Sequence, residues 1–505
     1  MTFNSLQYLI FFPIVAILHF VIPRKYRWIM LLAASYYFYM SWNPNLVFLI
    51  AFTTVVSYGA ALLMERTENP KARKAYLIVT LVACLGVLFF YKYFNFLSSS
   101  VTGLLRAFRL PVKDHLLDLI LPVGISFYTF QTLSYVIDVY RGTIPPERHF
   151  GYYALFVSFF PQLVAGPIER PQNLLPQLKA EHKFNTGDLK VGLRIALAGF
   201  FKKVVIADQL ATYVVAVYSQ PERATAPAII LGTVMFTFQV YCDFSGYTDI
   251  AVGCARIMGI RLMQNFNLPY MSRTISEFWT RWHISLTSWF QDYIFYPLAT
   301  SKKLSRWARR MGKKHNNRRL GVMLPQFVAL FVTFFLSGLW HGAAWTFVLW
   351  GCMHGVYQIV GKLTEKRRAA FWDRLHVNRN GKLYHAWQIF VVFWLGVFAL
   401  IFFRANSIHD LGLLMKNLFT NWRFVDILDI LQIDEIGLIV SAVSILAMSL
   451  TDRYLVQGWP LRTAEKGGTT LIKVEVFAFI LMASAVSWAM LLAGDGAAAF
   501  IYFQF

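Results

Sequence analysis

Charged residues are scarce in this sequence, and acidic residues are the scarcer kind. Only 15% of the 505 residues are charged, with 26 acidic against 48 basic residues, whereas soluble domains carry roughly 25% charged residues. Residues 320–361 contain no Asp, Glu, Lys or Arg. The hydrophilic gaps, near 299–319, 362–382, 404–435 and 452–475, are too short for a soluble domain. The chain must therefore act within membrane helices and short loops.

Cysteine and the common catalytic motifs are also rare or missing. The four cysteines, Cys84, Cys242, Cys254 and Cys352, have no CxxC spacing, which argues against zinc ligation or a disulfide framework. The sequence lacks HExxH, GxSxG, SxxK and GxxxxGK(S/T) motifs, the signatures of zinc proteases, serine-elbow hydrolases, serine–lysine acylation sites and P-loop enzymes. No internal or inverted repeat is visible, which weakens a transporter interpretation. We expect no metal cofactor.

Apolar segments long enough to cross a bilayer recur along the whole chain. Hydrophobic residues make up 57% of the sequence, and only helices and closed barrels satisfy their backbone hydrogen bonds in lipid. Long continuous runs favour helices over alternating strands. Since a span needs about 17–25 residues, we predict an all-α polytopic membrane protein with about 11–13 transmembrane or re-entrant helices. The runs lie at 6–22, 28–64, 75–91, 119–137, 149–168, 189–213, 224–242, 320–361, 383–403, 436–450 and 476–494.

Basic residues cluster between the apolar runs rather than in one nucleic-acid-binding patch. The formal net charge is +22, and basic clusters at 24–27, 66–74 and 362–368 lie beside predicted helices. This is the positive-inside pattern of membrane proteins. With residues 24–27 on the cytoplasmic side, the N-terminus would lie outside. We expect contact with membrane lipid and none with nucleic acid.

The densest basic segment is residues 302–319, which contain no acidic residue. One interpretation is a solvated cytoplasmic loop on anionic lipid. The other is a contact with a phosphate-rich cytoplasmic cosubstrate, since Lys and Arg bind phosphate. The basic residues are Lys302, Lys303, Arg306, Arg309, Arg310, Lys313, Lys314, Arg318 and Arg319.

Residues 274–298 are too polar for a clean span and too aromatic for a loop. Their pattern predicts a re-entrant or interfacial helix with Glu277 and Arg281 paired four residues apart. Helical spacing would place five polar side chains on one stripe facing a cavity. This stripe contains Ser276, Thr280, His283, Thr287 and Gln291.

Two histidines in aromatic surroundings are the strongest candidates for chemistry. His341 lies in SGLWHGA inside the uncharged stretch, and an ionisable group at membrane depth is a functional candidate by default. Burial favours a neutral imidazole that can accept a proton from a hydroxyl. A hydrogen-bonded structural histidine is an equally good interpretation. His283, in WTRWHISL, either acts on the acceptor or is satisfied by its polar neighbours, and His354 is expected mainly as a structural partner.

Two carboxylates follow an apolar run in the segment DFSGYTD, residues 243–249. Asp243 and Asp249 could orient an imidazole or bind a sugar hydroxyl. The favoured interpretation is structural pairing with Arg256 or Arg261.

Several strings in fixed order resemble the membrane-bound O-acyltransferase family, most closely its bacterial branch of alginate O-acetyltransferase membrane subunits. The two histidine segments, RWHIS and LWHG, belong to this set. The other strings are FYKYFNF (90–96), LPVGISFY (121–128), YVIDVYRG (135–142), FPQLVAGPI (160–168), DFSGYTD (243–249), NFNLPY (265–270) and FFRA (402–405).

The resemblance implies one membrane domain, residues 1–505, whose helices surround a central funnel or tunnel. It implies a core at 5–410 with a re-entrant or catalytic region at 274–361, followed by C-terminal helices at 411–505. It places the family's invariant histidine at His341 and its second histidine at His283.

The resemblance also implies an activity: transfer of an acetyl group from cytoplasmic acetyl-CoA to an acceptor outside a bacterial cytoplasmic membrane. Relatives often use an extracytoplasmic SGNH-type partner protein that modifies a polysaccharide. The acceptor could be alginate, another exopolysaccharide such as cellulose, or peptidoglycan, with D-alanyl transfer to teichoic acid as related chemistry. From the residues alone, a transporter or export component and a non-enzymatic scaffold stay open.

Overall fold

The computed structural model describes residues 1–110, 112–424, 426–456, 469–493 and 500. Every regular element within this part of the chain is helical, which confirms the all-α prediction. The predicted C-terminal segment 411–505 is only partly described, because residues 425, 457–468, 494–499 and 501–505 lie outside these ranges.

The described part of the chain contains helices of very different length. In the first part of the chain they are α1 (Leu6–Val21), α2 (Arg24–Met40), α3 (Val47–Arg66), α4 (Pro70–Leu88), α5 (Phe94–Ala107), α6 (Ile125–Arg141), α7 (Phe150–Ser158), α8 (Phe160–Leu163), α9 (Pro171–Lys179), α10 (Thr186–Phe200), α11 (Asp208–Tyr218) and α12 (Ala226–Ile257). The remainder are α13 (Ile275–Arg281), α14 (Ile284–Phe290), α15 (Tyr296–Ala299), α16 (Lys302–Lys314), α17 (Arg318–His341), α18 (Trp345–Arg374), α19 (Lys382–Arg404), α20 (Ile408–Thr420), α21 (Ile427–Leu431), α22 (Glu435–Val456) and α23 (Thr469–Ala493).

Six helical segments of the described chain are long and apolar enough to cross a membrane. The protein is therefore a multi-pass membrane protein, although the number of 11–13 spans stays a prediction. Two further apolar helical segments, Leu6–Val21 and Ala478–Met490, are shorter. The six candidates are Pro44–Arg66, Pro70–Ala107, Ala226–Ile257, Arg318–His341, Lys382–Arg404 and Glu435–Arg453.

The chain forms two compact units, each assembled from separate stretches of sequence. The first contains Met1–Val205, Asp243–Gln264 and the described part of Gln457–Gln504. The second contains Ile206–Cys242 and Asn265–Val456. Both candidate histidines belong to the second unit. The arrangement as one membrane domain stays a prediction.

Two predicted elements differ from the structure. Residues 274–298 do not form one helix, because the chain breaks at Trp282 and His283 between α13 and α14. The proposed polar stripe through Thr280, His283 and Thr287 is therefore wrong. The basic segment is also not a loop, since most of it forms α16, and Ser301 caps that helix by accepting a hydrogen bond from the Leu304 amide at 3.4 Å.

The long uncharged stretch forms a helical hairpin, as its length predicts. Helices α17 and α18 are joined by a turn at residues 342–344 and cross at two glycines. A Cβ atom on Gly338 would lie 2.4 Å from the Phe347 carbonyl oxygen, and one on Gly351 would lie 2.3 Å from the Phe334 carbonyl oxygen. The two backbones approach this closely because neither position carries a side chain. This crossing sets the position of His341, three residues after Gly338.

Adding one methyl group at this crossing should destabilise the protein. We expect Gly338→Ala to lower stability by about 1–3 kcal/mol, because the backbone of α18 must move. Thermal unfolding of the purified protein in detergent measures this effect. Gly361→Ala in α18 is the matched control, since a Cβ there meets no atom within 4 Å. Equal unfolding temperatures for the two variants would contradict the account of the crossing.

Candidate functional site

His341 is the last residue of α17 and is enclosed by aromatic rings. Its side chain is 3% exposed. The imidazole centroid lies 5.0 Å from the Trp340 ring, 5.0 Å from the Trp350 ring and 5.5 Å from the Phe403 ring. Three helices, α17, α18 and α19, thus contribute to one enclosure. The enclosure keeps water away from the imidazole, whose nitrogens are the groups here that can accept or donate a proton.

His283 occupies the break between two short helices. Its backbone is left-handed, with φ 45° and ψ 53°, which is uncommon for residues other than glycine. The side chain is fully buried. Burial lowers the pKa of His283 well below that of an exposed histidine, and the nearby His341 lowers it further. Neutral pH therefore leaves this imidazole uncharged.

A polar brace from Asn265 holds the turn that carries His283. The Asn265 carbonyl accepts a hydrogen bond from the Ile284 amide at 2.9 Å. Its side-chain oxygen accepts from the Ser285 hydroxyl at 2.6 Å and from the Ser285 amide at 3.3 Å. Asn265 is fully buried, so these bonds are made without competition from water. They offset the cost of the left-handed backbone at His283.

One indole ring contacts both candidate histidines. The centroid of Trp340 lies 5.7 Å from that of His283 and 5.0 Å from that of His341. Two segments that are distant in sequence are therefore brought together within the second unit. The electrostatic influence of His341 on His283 also requires proximity. Their catalytic roles stay predictions.

His354 packs against the aromatic residues that surround His341. Its Nδ1 atom accepts a hydrogen bond from the Trp279 indole N–H at 3.4 Å, and its ring lies 5.0 Å from that of Trp350. Trp350 in turn contacts His341. His354 thus touches the wall of the enclosure, which agrees with the structural role expected for it.

A buried carboxylate that sequence reasoning missed lies beside the same region. The Tyr241 hydroxyl of α12 donates a short hydrogen bond to Asp452 of α22, and both side chains are buried. The Tyr241 ring lies 5.5 Å from Phe266 and 6.0 Å from Trp282, the neighbour of His283. The signal in the sequence was a single acidic residue directly after an apolar run, a costly placement in a membrane.

The two carboxylates of the DFSGYTD segment form ion pairs, which is the structural role that the sequence favoured. Their partners differ from the predicted ones. Asp243 pairs with Lys203 at 2.6 Å and Asp249 with Lys202 at 2.7 Å. Arg256 instead pairs with Asp188 at 2.6 Å. The prediction of Arg256 or Arg261 as partner is wrong, because Gly246 of this segment packs against Gly199 of α10 and brings the following Lys202 and Lys203 into reach.

The described residues contain no cluster of three or more His, Cys, Asp or Glu side chains that could hold a metal ion. The groups available for chemistry at the two histidines are imidazoles, indoles and hydroxyls. Such a site suits proton transfer to or from a bound substrate.

Removing the Asn265 brace should disturb the turn of His283. Asn265→Ala removes the oxygen that accepts hydrogen bonds from the buried Ser285 hydroxyl and amide, and we expect a loss of about 1–3 kcal/mol in stability. Thermal unfolding in detergent measures this loss. Asn406→Ala is a control in the same unit, because its partly buried amide donates to the Tyr218 carbonyl away from this turn. A loss no larger than that of the control would show that Asn265 is not a brace.

The sequence of residues 147–312 and 318–406 matches the model of the membrane-bound O-acyltransferase family. His283 lies in the first matched segment and His341 in the second.

Three relatives illustrate the range of similar proteins. A probable alginate O-acetylase AlgI from Pseudomonas aeruginosa is 36% identical over 414 residues, covering 81% of this chain and 73% of that protein. A peptidoglycan O-acetyltransferase from Helicobacter pylori is 31% identical over 460 residues, covering 82% and 79%. A teichoic acid D-alanyltransferase from Bacillus subtilis is 31% identical over 254 residues, covering 48% and 60%. Together with the family match and the helical membrane fold, these similarities show that the chain belongs to the membrane-bound O-acyltransferase family.

Proposed function

We propose that this protein is an acetyl-CoA-dependent O-acetyltransferase that carries an acetyl group across the bacterial cytoplasmic membrane to a cell-surface polymer. As a member of its family it is a membrane O-acyltransferase. We propose in addition that acetyl-CoA is the donor, that transfer runs outward, and that the two histidines have the roles given below. The observation that carries it is the enclosure of His341 among Trp340, Trp350 and Phe403, beside His283.

His341 acts as the general base. A hydroxyl oxygen of the acceptor attacks the thioester carbonyl carbon of acetyl-CoA while its proton moves to the His341 imidazole. The carbon–sulfur bond then breaks, and the coenzyme A thiolate takes up the proton. A new ester forms on the acceptor, so atoms and charges balance. The burial of His341 among three aromatic rings supports this role because it excludes water, which would otherwise compete with the acceptor hydroxyl for the thioester.

His283 positions a reactant or stabilises charge as it develops. Its low pKa keeps it neutral, so one ring nitrogen can donate a hydrogen bond to an oxyanion while the other accepts one. The left-handed turn and the Asn265 brace fix the ring before substrate binds. A fixed donor needs little rearrangement in the transition state.

The difference between the two ends of α17 supports transfer from the cytoplasm to the outside. The helix has 24 residues, a length of about 36 Å. Basic residues, Arg318 and Arg319, begin it, and His341 ends it. If the basic end lies in the cytoplasm, as membrane proteins generally arrange, His341 lies toward the outer leaflet. By the same rule, basic residues 24–27 lie in the cytoplasm and the N-terminus lies outside.

The acceptor is a hydroxyl on the extracytoplasmic side. The names of the relatives concern alginate, peptidoglycan and teichoic acid, all polymers of the cell surface. We propose an exopolysaccharide such as alginate or cellulose, or peptidoglycan, as the final acceptor. A separate SGNH-type partner outside the membrane receives the acetyl group on its serine and passes it on.

Replacing His341 should abolish acetyl transfer without unfolding the protein. We expect His341→Ala to lower turnover by about 10²–10⁴-fold, the usual contribution of a general base. The measurement is release of the coenzyme A thiol from acetyl-CoA by the purified protein in the presence of an SGNH-type acceptor. Thermal unfolding confirms that the variant is folded.

The matched control is His409→Ala, which removes an exposed histidine of the same unit and should leave turnover unchanged. Full activity in folded His341→Ala would exclude the proposed base. No turnover and no acetyl-CoA binding by the folded wild type would instead favour a transport or scaffold role.

A further inference from the structure

Helix α16 is the most densely basic element of the described chain. Seven of its 13 residues are Lys or Arg, and none is acidic. Two more basic residues, Arg318 and Arg319, follow at the start of α17. None of these side chains forms an ion pair with another residue that the structure describes. Within the described part of the chain, no carboxylate therefore pairs with the charges of this helix.

The inner face of α16 is built for close packing on α17. Ala308 and Gly312 are buried, and a Cβ atom on Gly312 would lie 2.9 Å from the Gly321 Cα atom. A Cβ atom on Gly321 would lie 3.2 Å from the Ala308 carbonyl oxygen. The small residues bring the two helix backbones together. This contact fixes which face of α16 points away from the protein.

The outer face of α16 carries two rows of exposed basic side chains at helical spacing. One row contains Lys302, Arg306, Arg309 and Lys313. The other contains Lys303, Arg310 and Lys314, and within it lies Trp307, an indole that is 46% exposed. Tryptophan beside Lys and Arg is the composition of helices that lie at the membrane–water interface.

These charges oppose the formation of the helix. Lys302 and Lys303 lie at its N-terminus, where the helix dipole disfavours positive charge. Pairs such as Arg306 with Arg310, and Arg310 with Lys314, place like charges four residues apart, which also destabilises a helix. A layer of negative charge against the outer face would offset this unfavourable electrostatic energy.

We propose that the outer face of α16 binds the anionic headgroups of phospholipids in the membrane leaflet next to it. Phosphate oxygens accept hydrogen bonds from the Lys and Arg side chains, while Trp307 inserts at the level of the headgroups. Because α16 packs on α17, this contact anchors the helix that ends at His341. The inference is independent of the chemistry proposed for the histidines.

The test is hydrogen–deuterium exchange of the full-length protein in lipid nanodiscs. One preparation contains phosphatidylcholine alone, and the other contains phosphatidylcholine with phosphatidylglycerol. We expect the amides of α16 to exchange more slowly, by a factor of about five or more, when the anionic lipid is present. The difference should shrink at about 0.5 M salt, where charges in water are screened within a few ångströms.

A charge-neutral variant separates lipid binding from general effects of the bilayer. Lys303→Gln, Arg306→Gln, Arg310→Gln and Lys314→Gln together should remove the dependence on phosphatidylglycerol. They leave the buried face of α16 intact, and Gln is a good helix former.

The matched control removes four exposed charges from the end of α18. Lys362→Gln, Lys366→Gln, Arg367→Gln and Arg368→Gln together should leave the lipid dependence of α16 unchanged. The same control lowers the net charge of the protein by the same amount as the α16 variant.

Two results would overturn the proposal. One is equal exchange of α16 in both lipid mixtures. The other is found in phosphatidylcholine nanodiscs, if millimolar coenzyme A or inorganic phosphate slows exchange of the α16 amides as much as phosphatidylglycerol does. That result would assign the surface to a soluble phosphate compound. Protection by phosphatidylglycerol alone, lost in the α16 variant, supports it.

Discussion

The close crossing of α17 and α18 is the contact on which the site depends. Gly338 and Gly351 let the two backbones meet, and the hairpin then places His341 against Trp350 of the neighbouring helix. In lipid, helices gain little from simple hydrophobic association, so packing through small residues determines which helices touch. Small residues also allow close contact between α16 and α17, at Gly312 and Gly321. Small residues therefore set the geometry from the basic helix to the histidine.

The two histidines are held by different means. His341 is enclosed by rings contributed by three helices, whereas His283 depends on a strained turn whose next two residues donate hydrogen bonds to Asn265. Trp340 touches both imidazoles. An aromatic enclosure keeps water from a base, and a braced turn presents a fixed donor. This difference is the physical basis for proposing proton removal by His341 and positioning by His283.

Local composition and spacing are enough to predict the helical class and the α17–α18 hairpin. They also predict the ion pair between Glu277 and Arg281, whose charged atoms are 2.8 Å apart. The break at His283 could not be predicted, since helical periodicity continues through it. Hydrogen bonds to Asn265, which lies well before the turn in the sequence, help to stabilise it. The partners of Asp243 and Asp249 were missed for the same reason, because the glycine contact between α10 and α12 selects Lys203 and Lys202. Helix α16 was interpreted as a loop because it is a basic stretch between apolar runs, and its contact with α17 cannot be seen in the sequence.

The central claim is that the acetyl group crosses the membrane. The direct measurement uses sealed proteoliposomes in which the orientation of the protein is known from labelling of the basic segments. Acetyl-CoA is added on the side of those segments, and the acceptor protein is confined to the other side. We expect acetyl ester on the confined acceptor, and none when acetyl-CoA and the basic segments are on opposite sides. Acetylation only of acceptor on the acetyl-CoA side would contradict transfer across the membrane.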